Sequence, residues 1–177
     1  MGVDVGNARV GTALSDPDGI LATPLKTLRR DHKKNSDRRV LRKLAEVNDV
    51  VEIFVGLPKT MCGGESASTV MAKEYAENLR SELDAEGKDH INIWLVDERL
   101  TTVSAQRSLH EAGVSSRDFK AIVDQAAAVN ILQYCLDTLK SGYAIAGYKL
   151  SSPAYEEAHS EECPLDGKPV NETETLQ

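Results

Sequence analysis

Apolar and polar positions first alternate along this chain and then switch to a helical repeat. Short β-type runs occupy Val3–Val5, Arg9–Leu14 and Ile20–Leu28. Gly6-Asn7 and Asp16-Pro17-Asp18-Gly19 separate them, and both are turn-forming, because Gly and Asn tolerate positive φ and Pro presets a turn. Three strands joined by tight turns predict an antiparallel meander. Beyond it, Val40, Leu41, Leu44 and Val47 recur at three and four residues, a helical stripe that Ser36 can cap. Val50–Val55 reads as a mostly apolar strand ending at Gly56-Leu57-Pro58. A Gly- and Ser-bearing loop over 59–68 leads to a second helical stripe, Met71, Tyr75, Leu79 and Leu83, closed by Gly87. Ile91–Val96 is the fifth strand, with Asp97-Glu98-Arg99 at its C-terminal end. A short helix through Leu109 stops near Gly113, and a long helix runs from about Asp118 to Lys140.

The resulting order is βββαβαβα, with no internal repeat. Strands joined through helices lie parallel, whereas the meander is antiparallel. The expected fold is therefore α/β: a mixed five-stranded sheet flanked by helices. From Ser151 onward apolar residues give way to acids and to Pro153, Pro164 and Pro169. This divides the chain into a folded domain over 1–150 and an acidic tail over 151–177 with the composition of a disordered segment.

A length of 177 residues suits one domain, and 41% hydrophobic residues can bury a core. No apolar run approaches the ~18 residues of a membrane-spanning helix, so no membrane partner is expected. Cys62, Cys135 and Cys163 are odd in number and lack CxxC spacing, which argues against a zinc site or a disulfide framework and for a reducing compartment. The opening strand follows Met1 directly, without the charged and apolar segments of a secretory signal. A cytoplasmic location is expected, or an organellar stroma or matrix if a transit peptide has been removed.

Net charge is −7, but it is unevenly spread. The tail holds seven acids against Lys168, a balance of −6, which leaves −1 for residues 1–150. Between 29 and 43, eight bases (Arg29, Arg30, Lys33, Lys34, Arg38, Arg39, Arg42, Lys43) face only Asp31 and Asp37. That run is a candidate phosphate-contacting strip, although solvated helix faces carry such runs more often. Aromatics at 5% are too scarce for a platform that stacks single-stranded bases. His32, His90, His110 and His159 have no ligand spacing and read as surface residues.

The chemistry sits on acids. Asp4 interrupts an apolar strand, where a carboxylate is costly unless it caps the next turn, is paired, or holds a metal. Asp97 and Glu98 lie where a parallel strand leaves the sheet, the edge at which open α/β sheets bind ligands. Their side chains point to opposite faces, so only one can join Asp4, and parity along the chain favours neither. Asp124 lies mid-helix before Ala126, Ala127 and Ala128, small residues that let this helix approach the sheet; Lys120, one turn earlier, could instead pair with it. Converging, these carboxylates would suit Mg²⁺ or Mn²⁺, hard ions that take oxygen ligands and promote phosphodiester hydrolysis.

Gly2-Val3-Asp4-Val5-Gly6, Arg9-Val10-Gly11, Ser15-Asp16-Pro17, Gly56-Leu57-Pro58, Asp97-Glu98-Arg99-Leu100-Thr101-Thr102 and Asp124-Gln125-Ala126-Ala127 resemble, in order, the motifs of the YqgF/RuvX family. The resemblance runs from residue 2 to about 140 and leaves out the tail. It implies an RNase H-like fold and a nuclease acting in Holliday junction resolution or in pre-16S rRNA processing. Its acidic positions fall on Asp4 and Asp124 and on one of Asp97 and Glu98, with Glu98 preferred as the third metal ligand. Arg9, Arg29, Arg30, Lys33, Lys34, Arg38, Arg99, Thr101, Thr102 and Lys120 are the candidate contacts to structured RNA or branched DNA. A plant or organellar member would account for a removed leader. The family's usual Asn and Met-Asp-Gly after Gly-Leu-Pro are replaced by Lys59-Thr60-Met61-Cys62-Gly63, and Asn7-Ala8 stands where a basic residue is common. Neither departure touches an acid.

Two other classes compete. A phosphotransferase of the actin-like superfamily also opens on Asp-x-Gly, but needs two such domains around its nucleotide. A non-catalytic nucleic-acid-binding module would keep the fold without turnover. A monomer or a homodimer is compatible with the chain, and symmetric cleavage of a junction would call for the dimer.

Overall fold

The computed structural model describes residues 1–58, 66–97 and 118–151, with backbone alone over 118–124. Its strands are β1 (Gly2–Val5), β2 (Arg9–Ser15), β3 (Ala22–Arg29), β4 (Glu52–Leu57), β5 (Asn92–Asp97) and β6 (Gly147–Leu150). Its helices are α1 (Ser36–Val47), α2 (Ala67–Ala85) and α3 (Asp118–Lys140). The expected short helix before Gly113 lies outside the described residues.

The strands form a single sheet in the order β3-β2-β1-β4-β5-β6. β1, β2 and β3 pair antiparallel as the meander predicts, and β1–β4 and β4–β5 pair parallel as their helical crossovers require. Six strands replace the expected five, because β6 returns antiparallel along β5. Only four residues long and mostly exposed, β6 is too short for a sequence pattern to register. Its place depends on Gly147, where a Cβ would stand 2.1 Å from the Leu95 carbonyl oxygen.

Strand alternation divides the sheet into two packed faces. Val3, Ile53, Val55, Ile93 and Leu95 face α1 and α2, packing with Leu41, Tyr75, Leu79 and Leu83. Ala13, Ala22, Phe54 and Val96 face α3 and pack with Ala128, Ile131, Leu132 and Cys135. α3 comes so close to β1 that a Cβ on Gly2 would lie 2.4 Å from the Ala128 oxygen and 2.7 Å from the Leu132 Cβ.

The apolar stripe of α2 packs inward as expected, but the helix begins at Ala67, inside the expected 59–68 loop. Ser66 Oγ accepts from the Thr69 amide at 3.1 Å while Thr69 Oγ1 accepts from the Ser66 amide at 3.0 Å, a reciprocal cap. Gly87 adopts φ 68° just past the helix end, a left-handed conformation that favours glycine. α1 departs from expectation. Its N-cap is Asn35 at φ 53°, and Ser36 is already helical, its hydroxyl donating to Asp31 Oδ2 at 2.7 Å. Val40 and Val47 are exposed, and the buried face is Asp37, Arg38, Leu41 and Ala45. Ion pairs account for the rotation: Arg38 Nε meets Glu82 Oε1 at 2.8 Å and Arg42 Nε meets Glu86 Oε1 at 3.0 Å, tying α1 to α2 through charge.

Gly2→Ala should lower stability by about 1–3 kcal/mol, because the added methyl meets backbone that cannot step aside. A urea midpoint equal to wild type would refute this account of the β1–α3 contact.

Candidate active site and nucleic-acid interface

Asp4 occupies the central region of the sheet, one residue before the C-terminal end of β1, and is partly buried. Gly11 pairs with it on β2. On the other side Val3 pairs with Val55 and Gly56 with Val96, so the register carried one residue further sets Asp4 beside Gly56. Asp4 therefore lies on the α3 face in a row reading Gly11, Asp4, Gly56, Val96. Neither glycine contributes a side chain, so no β2 or β4 side chain flanks the carboxylate within its row.

The register also fixes the face of Asp97, the last residue of β5. Asp97 pairs with Leu57, one step beyond the Gly56–Val96 pair, and Leu57 belongs to the cluster under α1 and α2. Asp97, 8% exposed, is accordingly on the face opposite Asp4. Glu98 lies outside the described residues.

α3 runs antiparallel to β1, and its contact at Gly2 is made by Ala128 and Leu132. Four residues back from Ala128 along the helix is an advance of about 6 Å. Two residues on from Gly2 along the strand is about 6.6 Å in the same direction. The same count from Leu132 ends at Ala128, so Asp4 lies across from the α3 backbone between Asp124 and Ala128. Among the described residues no group of three or more His, Cys, Asp or Glu side chains is placed to hold a metal ion. A cavity of about 640 Å³ lies at the opposite end of the sheet, lined by Met1, Asp49, Leu132 and Leu136 among others, remote from these acids.

A loop from Arg30 to Asn35 is fastened over the β1–β2 turn beside Asp4. The turn itself is closed by the Gly6 amide donating to the Arg9 carbonyl at 2.9 Å, and a Cβ on Gly6 would meet that oxygen at 2.9 Å. The Arg30 amide donates to the Ala8 carbonyl at 3.0 Å, and His32 Nε2 lies 3.1 Å from the Asn7 carbonyl. Asp31 organises the loop from within, accepting from Ser36 Oγ and from the Lys34 and Lys33 amides at 2.7, 3.0 and 3.2 Å. The Ser36 hydroxyl first, and the Lys34 amide next, hold its carboxyl at about 2 against an ordinary 3.8.

The basic strip divides in two. Arg30 stacks 4.7 Å over the Tyr75 ring with Nε 3.5 Å from Asp37 Oδ2, and Arg38 lies 5.8 Å from the same ring with its Glu82 pair. Their side chains are about nine-tenths covered, so both leave the expected contact strip and serve to dock α1 and the loop. Arg29, Lys33 and Lys34 are exposed, and Arg9 pairs in register with Arg29. Arg99, Thr101, Thr102 and the Lys120 side chain lie outside the described residues. Sequence reasoning missed His32 and Asp31 as parts of this arrangement, since their partners are backbone groups that carry no residue signature.

A mixed sheet of this order, with helices on both faces and an acid on its first strand, is an RNase H-like fold. The chain belongs to the RuvX family: the family model described as "RuvX: Holliday junction resolvase" matches residues 1–138. It is 49% identical over 137 residues to a Mycobacteroides abscessus protein named "Putative pre-16S rRNA nuclease", spanning 77% of this chain and 80% of that one. A Mycolicibacterium smegmatis protein of the same name is 48% identical over 146 residues, spanning 81% and 83%. These relatives are bacterial and lend no support to a plant or organellar origin. Thermus thermophilus RuvC, solved with a Holliday junction substrate, superimposes with a TM-score of 0.43 at 13% identity, over 84% of this chain and 97% of that one.

Arg30→Ala should cost about 3 kcal/mol, because it leaves Asp37 charged, buried and unpaired, whereas Arg29→Ala should stay within about 0.5 kcal/mol. Equal urea midpoints for the two variants would contradict this division of the strip. The depressed Asp31 pKa makes its contribution complete above the ordinary carboxylate value and lost as pH falls from 3.8 towards 2. Hydrogen exchange at the Lys33 and Lys34 amides should therefore lose protection across that window while β4 and β5 stay protected. In Asp31→Ala the protection should be low throughout.

Proposed function

We propose that the protein is a divalent-metal-dependent endonuclease hydrolysing phosphodiesters of structured nucleic acid. The observation that carries this reading is the Asp4 row: a carboxylate on the α3 face, between two glycines and across from the α3 segment that begins at Asp124. Asp4, Asp124 and Glu98 would hold the metal. Glu98 is preferred to Asp97 because the β5 register turns Asp97 to the other face. An all-carboxylate donor set matches the oxygen ligation that Mg²⁺ and Mn²⁺ take. The ion, when bound, supplies a Lewis acid for the phosphoryl group and counter-charge for the leaving oxygen.

The chain's own residues do the rest. The glycines flanking Asp4 leave its row of the sheet without a neighbouring side chain from β2 or β4. Arg29, Lys33 and Lys34, exposed on the strand end and loop beside the β1–β2 turn, neutralise flanking phosphates and set the register of the duplex without reading sequence. The relatives' name points to precursor 16S rRNA and the family model's description to a four-way DNA junction. Both offer the same phosphodiester, so one site serves either.

With Mg²⁺ or Mn²⁺, the protein should cleave at least one of a structured precursor rRNA and a four-way junction, and plain duplex DNA more slowly. Asp4→Asn and Glu98→Gln should each reduce that rate at least about a hundredfold, ~2.7 kcal/mol of transition-state stabilisation. Asp97→Asn should cost less than about tenfold. Undiminished cleavage by Asp4→Asn would sink the proposal; binding without cleavage in wild type would replace it by a non-catalytic binding module.

A further inference from the structure

We infer that His32 is a positioning residue, which latches the lysine-bearing loop onto the turn that follows Asp4. The inference rests on the proposed contact between Lys33, Lys34 and substrate phosphates, and adds the reason those lysines stand at a fixed place. The His32 ring bridges two elements distant in the chain. Nε2 is 3.1 Å from the Asn7 carbonyl in the β1–β2 turn, and Nδ1 is 3.5 Å from Arg30 Nη2. A carbonyl can only accept and a guanidinium can only donate, so the two partners select the neutral tautomer with the proton on Nε2. Nε2–H then donates to Asn7, and Nδ1 accepts from Arg30.

Arg30 is itself fixed, by its stacking on Tyr75 and its pairing with Asp37. The contacts thus run from α2 through Arg30 and His32 to Asn7, three residues beyond Asp4. Two further bonds reinforce the docked geometry: the Arg30 amide to the Ala8 carbonyl, and Asp31 to the Lys33 and Lys34 amides. Of these, the His32 bond alone joins the tip of the loop to the turn by a side chain. Its ring is exposed, so it buries no apolar surface on which the fold depends. Such an arrangement contributes preorganisation: it removes the ordering that two lysines on a loose loop would undergo on binding.

The test is fluorescence anisotropy of a labelled four-way junction and a labelled precursor-rRNA hairpin, without divalent metal, alongside urea unfolding and cleavage kinetics in Mg²⁺. His32→Ala should weaken binding about fivefold, the scale of re-ordering two long side chains. Its urea midpoint and kcat should remain those of wild type. His32→Gln, whose amide can donate to Asn7 and accept from Arg30, should restore affinity to within about twofold. In a Lys33→Ala/Lys34→Ala background, His32→Ala should add no further loss. Wild-type affinity in His32→Ala would overturn the inference while leaving the proposed function standing. So would an additive loss in the double-lysine background, failure of Gln to rescue, or a lowered urea midpoint. If wild type binds neither nucleic acid, the proposed function fails and this inference fails with it.

Discussion

The close approach of α3 to β1 at Gly2 is the contact on which the candidate site depends. Ala128 and Leu132 lie against a strand position with no side chain, at separations that would forbid even a methyl group. That proximity fixes both how near the helix lies and where along the strand it sits. Counting one helical turn from each contact and two strand residues from Gly2 brings Asp4 across from the helix segment between Asp124 and Ala128. A helix held off by a larger residue would lose that juxtaposition while keeping the same secondary structure. Packing is here what sets how near the α3 backbone comes to the strand that carries Asp4.

The opposite face obeys a different physics. α1 buries Asp37 and Arg38 with Leu41 and Ala45, and meets α2 through Arg38 and Arg42 on Glu82 and Glu86. Tyr75 lies under two guanidinium groups, and burial raises its hydroxyl pKa. Charges removed from water this far are retained only when paired, and the pairing recruits bases that a charge count assigns to a ligand. Arg29, Lys33 and Lys34 remain at the surface because no acid on α2 reaches them. The same stretch therefore supplies both the struts of the loop and the cations it presents.

Much of the fold was legible along the chain. The meander, both parallel crossovers, the stripe of α2 and the span of α3 follow from periodicity and turn chemistry, which act over a few residues. β6 was not legible, because it has only four residues, three of them exposed, and is held by its neighbour β5. The face of α1 was misassigned for a related reason: Val40 and Val47 fit a helical stripe as well as Leu41 does, and the choice was made by partners on α2. For the site, Asp4 stands out as an acid within an apolar strand, and the motif around Asp97-Glu98 marks the right strand end. The roles of Asp31 and His32 rest on bonds to backbone groups, which no residue pattern announces.

By itself the sequence determined which acids were candidates, because a carboxylate within an apolar strand is costly unless it is capped, paired or bound to metal. Three decisions belonged to the tertiary structure. It turned Asp97 away from Asp4, since a strand's parity has meaning only relative to its neighbours' register. It enlisted Arg30 and Arg38 in the interior, since a guanidinium's role depends on whether an acid lies within reach. It set the lysine loop beside the Asp4 turn, since contacts across 25 residues of chain are made by packing and not by local propensity.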